Sequence, residues 1–304
     1  MANSYTNIND VKVMSDGVAA LKKALTPLSV FTLDAGSDPM EKNEYVYVPL
    51  ASARSGSAFS STYESGDSTI TGKGVQLSNH RFCSWHVTDV QGMKSSAKLF
   101  EMESVEAAYG LASDIQTLVL NVITTANFTG TSVTVTAANF GLDDVADIRS
   151  KATKTNGWRE VEPGKLGALV LDGKYVEALN KDTTVINQAA SGKDTLVSGV
   201  VGRIYGLDIY ENNLIATSTP GTTQNLVGFA VQPGAIAVAV RPVRPGDDKT
   251  LAFADIAVDP DSGIAMSYRR WYNPASGTLW GTYTVLMGVV AVDPSRLIAI
   301  YSAE

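Results

Sequence analysis

The chain has 304 residues, 44% hydrophobic and 18% charged, enough to bury about three-quarters of its unfolded surface in one or two domains. Against 31 acidic residues stand 24 basic ones, a formal net charge of −7, and no run of Lys or Arg forms a stripe suited to tight binding of a phosphate backbone. The single Cys83 excludes an internal disulfide framework and fits synthesis in a reducing cytosol.

The opening residues Met1-Ala2-Asn3-Ser4-Tyr5 lack the basic start and apolar run of a signal peptide, and no stretch approaches roughly 18 uninterrupted apolar residues. The sequence therefore predicts a soluble chain made in the cytoplasm, not spanning a membrane, with no large propeptide removed. Residues 1–44 combine a short helical pattern (Val11, Met14, Val18, Leu21, Leu25) with turn chemistry at Asp34-Ala35-Gly36-Ser37-Asp38-Pro39, and read as an arm lying across a surface. Tyr45-Val46-Tyr47-Val48 is a β run ended by Pro49. A Ser/Gly/Ala-rich connection over 51–67 and return strands at 68–77 and 81–90 follow. Hairpin arms of about 20 residues would reach roughly 65 Å, farther than a domain needs to cover its own core, and a polar connection of this length is expected only where it is functional.

From 94 to about 124 the pattern becomes helical, with Ala108, Leu111, Ala112, Ile115, Leu118, Val119 and Val122 on one stripe and the acids Glu101, Glu103 and Glu106 in the first half, where the helix dipole favours them. This predicts a rod of roughly 45 Å. The middle of the chain reads as a mixed α/β module. Its elements are a strand at 131–136, a helix at 143–154 stopped near Asn156-Gly157, an apolar strand at 166–171, a helix at 174–180, a strand with turn at 202–213, and a strand plus an Ala/Val helix over 225–240. After Arg241-Pro242-Val243-Arg244-Pro245-Gly246 the chain is β-rich: a hairpin of 264–272 and 278–287 around Asn273-Pro274-Ala275-Ser276-Gly277, then strand material over 289–301. No fixed-period repeat argues for a solenoid or propeller.

The search for chemistry centres on His80, Cys83, His86 and Asp89, the residue types of a thiol hydrolase or a metal site. On a strand, odd separations put Cys83 on the face opposite both histidines, and the spacing matches no recognised zinc pattern, so ordinary strand residues are the simpler reading. Residues 199–206 lack the glycine spacing of a phosphate cradle and end in a strand. Asp143-Asp144 reads as a helix start and Asp259 with Asp261 as a turn. Tyr268-Arg269-Arg270-Trp271-Tyr272 reads as an aromatic core face with Arg on the other side, in preference to a base-stacking platform. No enzyme signature, metal site or cofactor site emerges.

The order of elements resembles the major capsid proteins of tailed bacteriophages, with the Hong Kong 97-type fold. The resemblance is carried by residues 72–89, from Gly72-Lys73-Gly74 through His80-Arg81-Phe82-Cys83 to Thr88-Asp89, which look like the returning half of the extended E-loop. The helix from Lys94 looks like the spine helix of the peripheral (P) domain. Residues 202–214 and 225–237 look like parts of the axial (A) domain, and Tyr268-Arg269-Arg270-Trp271-Tyr272-Asn273-Pro274 with Gly277-Thr278-Leu279-Trp280-Gly281 like the C-terminal return to the P domain.

The resemblance implies an α+β fold with an N-terminal arm (1–44), the E-loop and its flanking strands (45–90), the P-domain spine helix and a strand (91–135), the A domain (136–252) and the return (253–304). It implies a structural, non-enzymatic protein that forms hexamers and pentamers of an icosahedral shell around packaged double-stranded DNA. The DNA contacts are weak and non-specific, assembly in the host cytoplasm is expected to be assisted by a separate scaffolding protein, and a portal and a decoration protein are the other expected partners. Arg54, Phe59, Tyr63, Glu64, Asp67 and Lys73 are the inter-subunit contacts it suggests on the E-loop. Lys73 also invites comparison with relatives that crosslink through a Lys–Asn isopeptide bond; the matching Asn and Glu are not evident, and noncovalent assembly is expected. A bacterial encapsulin shell is the alternative within the same fold, and a hydrolase using Cys83 is the remote one.

Overall fold

The computed structural model describes residues 9–25, 32–34, 45–51, 70–94, 99–181, 202–215, 225–243, 251–258 and 265–303. In chain order these hold α1 (Asp10–Leu25), β1 (Thr32–Asp34), β2 (Tyr45–Ala51), β3 (Ile70–Gln76), β4 (Asn79–Thr88), α2 (Asp89–Lys94) and α3 (Leu99–Leu120). Then come β5 (Ser132–Val135), α4 (Leu142–Lys154), β6 (Gly167–Leu171), α5 (Gly173–Lys181), β7 (Arg203–Ile204) and β8 (Leu207–Glu211). The chain closes with β9 (Asn225–Val231), β10 (Ile236–Arg241), β11 (Phe253–Val258), β12 (Ala265–Asn273), β13 (Thr278–Ala291) and β14 (Leu297–Ser302).

Helix α3 forms because its apolar and small residues recur at the 3-and-4 spacing of one face: Ala107, Ala108, Leu111, Ala112, Ile115 and Val119 are all buried. Its 22 residues span about 33 Å at 1.5 Å each, shorter than the predicted rod. A separate helix precedes it. Thr88-Asp89-Val90-Gln91 is a reciprocal cap in which the Gln91 N–H donates to Thr88 Oγ1 (3.2 Å) and the Thr88 N–H donates to Gln91 Oε1 (3.0 Å), so α2 starts well before Lys94. Beyond Leu120 the chain leaves the helix in tight turns that bury Ile123 and Phe128.

Strand β13 organises the first sheet, whose order is β1-β10-β13-β12-β11 with β4 also on β13. β4 pairs with 278–287 of β13; β12 pairs with 278–284 and β10 with 286–291, and since Leu286 and Met287 are paired twice, β10 continues the edge that β12 begins. Helices α3 and α1 cover one face. Val13, Ala20, Leu21 and Leu25 of α1 are buried in the same core as Trp85, Tyr268 and Tyr283, and the Tyr283 hydroxyl donates to the Val13 carbonyl at 2.8 Å. So over 10–25 the helical pattern read from the sequence does form a helix, but one seated in the core and not across a surface. Its buried stripe includes Val13 and Gly17, with Val11 turned outward.

The second sheet runs β5-β14-β9-β6-β8-β7. Its central strand is buried on both faces: Ala168 and Val170 of β6 join the main core, while Leu169 and Leu171 join a second core with Val145, Ile148 and Ala152 of α4 and Leu179 of α5. Two-sided burial is why this strand is apolar without alternation. The Ala/Val helix expected within 225–240 does not form. That segment is β9 and β10, joined by a turn in which Gly234 takes a φ of 91°. Pairing of β10 with β1 on one edge and β13 on the other overrides the helical propensity of Ala237 and Ala239. Likewise β2 runs through Pro49, which pairs opposite Gly72; among the described residues β2 pairs only with β3, and an edge strand tolerates a residue without an N–H.

Candidate assembly surfaces

The β2–β3 ribbon has two unlike faces. Val46, Val48 and Val75, with Leu77 just beyond, pack on Ala237, Ala239 and Val292, which anchors the ribbon at the end of the first sheet where β10 and β13 meet. The approach is close enough that a Cβ on Gly288 would collide with the backbone of Gln76. On the other face Tyr45 and Tyr47 lie over glycine: a Cβ on Gly74 would stand 3.3 Å from Tyr45 Cδ1 and 3.4 Å from Tyr47 Cε1. Tyr47 is paired with Gly74 and Tyr45 with Gln76, and the missing side chain at Gly74 leaves room for both rings to approach the partner strand. Tyr47 remains 64% exposed, an aromatic surface that the described residues leave bare. This pairing was legible in the sequence as aromatics facing glycines across a hairpin, and reading Tyr45 and Tyr47 only as strand formers misses it.

Of the predicted contact residues, Lys73 lies on β3, exposed, on the valine side of the ribbon opposite Val48. Among the described residues no carboxylate pairs with it. Arg54, Phe59, Tyr63, Glu64 and Asp67 lie outside the described residues, as do Asp259 and Asp261.

Strand β4 separates the cysteine from the two histidines. His80, Phe82, Ser84 and His86 point outward, whereas Trp85 and Val87 are buried and Cys83 faces α3, where a Cβ on Gly110 would lie 3.5 Å from its Sγ. Cys83 and the histidines are thus on opposite faces, as the odd spacing predicts. Burial, reinforced by the Asp114 carboxylate, pushes the Cys83 thiol up from its ordinary range, away from the thiolate a nucleophile needs. Iodoacetamide should therefore label Cys83 at neutral pH about tenfold more slowly than free cysteine and at the normal rate after denaturation; rapid labelling of the native chain would contradict this geometry. Asp89 accepts a hydrogen bond from the Tyr272 hydroxyl at 2.8 Å, which raises the pKa of that phenol. Among the described residues no three His, Cys, Asp or Glu side chains are grouped to hold a metal ion. Asp144 accepts from the Gly141 N–H at 3.0 Å, the helix-start role read from sequence.

The Tyr268–Tyr272 segment of β12 corrects the expectation of aromatics on one face and arginines on the other. Tyr268 and Arg270 share the inner face and both reach Asp10 of α1: the Tyr268 hydroxyl donates to Oδ1 at 3.1 Å and Arg270 Nη2 sits 2.9 Å from Oδ2. Residues two apart on a strand share a face, so each face takes one Arg with its aromatics. Burial, then the Asp10 charge, raises the Tyr268 phenol well above its usual range. On the outer face, Arg269 donates to the Val243 carbonyl at 3.1 Å. Trp271, Trp280 and His86 stand at one register across β12, β13 and β4, with ring centroids 6.1 Å and 4.5 Å apart. Phe82, two pairs along, is 65% exposed. No sequence pattern announces this row, because strand pairing alone brings positions 86, 271 and 280 together.

Among the described residues no helix is long and apolar enough to cross a membrane. No protein-family model matches the chain, and no curated protein matches it. Solved structures do. The capsid structure of the cyanophage P-SCSP1u is similar at a TM-score of 0.64 and 14% identity, over 90% of this chain and 87% of that one. The capsid of Ralstonia phage GP4 (TM-score 0.59, 12% identity, 89% and 86% covered) and the mature capsid of bacteriophage PhiM1 (TM-score 0.59, 10% identity, 90% and 85% covered) are similar too. At such identities the likeness is one of fold: this chain has the mixed α+β fold found in phage capsid structures.

Proposed function

We propose that the chain is the major capsid protein of a tailed phage, a structural shell subunit with the Hong Kong 97-type layout and no catalytic role. The observation that carries this reading is the fold likeness to phage capsids across nine-tenths of the chain. The β2–β3 ribbon supports it, since an aromatic face on a two-stranded projection is a surface made to be covered by something outside the subunit. In this reading the first sheet with α3 is the P domain, the second sheet with α4 and α5 is the A domain, and the ribbon is the base of the E-loop. Residues Arg54, Phe59, Tyr63, Glu64, Asp67 and Lys73 join neighbours in hexamers and pentamers.

The shell encloses double-stranded DNA through weak contacts, as an acidic chain with scattered cations suits. A scaffolding protein, a portal and a decoration protein are its other partners. Assembly takes place in the host cytoplasm, and the finished subunit resides in the virion. The phage reading is preferred to a bacterial compartment shell because the likenesses are to phage capsids.

Electron microscopy of the purified chain, assembled with a scaffold where one is required, tests the proposal: closed icosahedral particles are expected, and their denatured subunits should migrate as monomers on a gel. Failure to form particles under any condition would reject the shell role, and a ladder of covalent oligomers would reject noncovalent assembly.

A further inference from the structure

The β7–β8 hairpin at the edge of the second sheet is built against the preference of its own turn. Ile204 pairs with Leu207, so the turn has two central residues, Tyr205 and Gly206, and both have positive φ, 49° and 81°. Such a turn favours Asn-Gly or Gly-Gly, because a bulky side chain in the left-handed region is strained. Tyr205 is the only described non-glycine residue with positive φ, and the residue is 40% exposed. Tyr205 therefore holds a strained backbone conformation without being buried inside the subunit. Strain of this kind persists where the surroundings hold it and a function uses it.

The surroundings do hold it. Leu166 N–H donates to the Gly206 carbonyl at 2.7 Å, tying the hairpin to the adjoining turn at 161–165, whose Val161 is exposed as well. Asp208 accepts from Arg203 Nε at 2.6 Å and pairs with Lys165 Nζ at 3.1 Å. Burial alone would raise the Asp208 carboxyl, yet these two cations carry it below its usual range, and the Glu162 carboxylate acts on both cations in turn. The result is a fixed aromatic tip with an exposed aliphatic neighbour, rimmed by charges of both signs, on an edge where no further strand pairs among the described residues. A rigid Tyr with Arg beside it and a charged rim is the composition of a binding hot spot, and a rim of both signs is complementary to another copy of itself.

We infer that Tyr205 and Val161, rimmed by Arg203, Lys165, Asp208 and Glu162, form a contact with a second copy of this chain, and that Tyr205 is kept at a strained turn position for that contact. The inference rests on the shell reading for its setting and on the hairpin for its residues.

The test compares the full-length wild type with Tyr205→Asn, Tyr205→Phe and Val161→Lys by thermal unfolding and by sedimentation under assembly conditions. Tyr205→Asn should keep its Tm or raise it by about 2–4 °C while raising the concentration needed for assembly about tenfold or more. Tyr205→Phe, which keeps the ring, should assemble like the wild type, and Val161→Lys should weaken assembly without lowering Tm. If the wild type and Tyr205→Asn assemble equally well, the contact is refuted and the shell reading stands. A Tm lowered in Tyr205→Asn shows a structural role and refutes the inference. A small oligomer that Tyr205→Asn dissociates supports the contact and removes the shell, and a wild type that never self-associates removes both.

Discussion

Joining Ala51 to Ile70 through an Asn-Gly turn, with residues 52–69 removed, should leave a soluble, cooperatively folding chain that closes no shell. Ala51 and Ile70 are the last paired residues of the ribbon, so a two-residue turn can connect them without moving the strands. The ribbon's core contacts come from Val46, Val48, Val75 and Leu77, which the deletion leaves in place. Shortening a loop of this size changes its closure entropy by about 2 kcal/mol, in the favourable direction, so Tm should not fall and should rise by no more than about 8 °C. The Tyr45 and Tyr47 face stays, but the reach beyond it is lost. Electron microscopy and sedimentation read the outcome: free subunits or capsomers in place of shells. Closed shells from the shortened chain would remove the loop from the assembly mechanism, and an aggregated product would make it a folding element.

Asp10→Ala should destabilise the fold more than any surface change, by about 3 kcal/mol, because it leaves the Arg270 guanidinium buried without its carboxylate. Both side chains are largely buried, at 11% and 14% exposure, and Asp10 also accepts from Tyr268 and sits in the first turn of α1, where the helix dipole favours an acid. For a chain of this size such a loss lowers Tm by roughly 6–12 °C. The double variant Asp10→Leu with Arg270→Met should recover most of it, since a buried pair replaced by apolar groups of similar volume is often neutral. A single variant that loses less than about 1 kcal/mol would mean that α1 is not held in the core by this pair.

Elements whose surroundings are local were legible in the chain. The α3 stripe from Ala108 to Val119, the apolar run of β6 and the turn at 273–277 each follow from spacing and turn chemistry within a short window. Reading fails where a partner distant in sequence decides. Ala237 became strand because β1 and β13 flank it and Ala239 because it pairs with β13, and α1 left the surface because Tyr283 and Tyr268 offered its backbone and Asp10 hydrogen-bond partners. The start of α2 is marked in the sequence by the Thr88–Gln91 cap.

For the candidate surfaces the division is similar. Alternation along β4 is a property of any strand, so the sequence alone determined that Cys83 could not meet His80 or His86 on one face. Composition alone set the acidic balance and the absence of a basic stripe. Only tertiary pairing put His86, Trp280 and Trp271 in one row, laid Tyr45 and Tyr47 against Gly74, joined Asp10 to Arg270 and placed Tyr205 at the edge of the second sheet. A one-dimensional pattern fixes the period of an element and hence its faces, whereas which faces meet depends on contacts between segments up to 270 positions apart (Val13 to Tyr283).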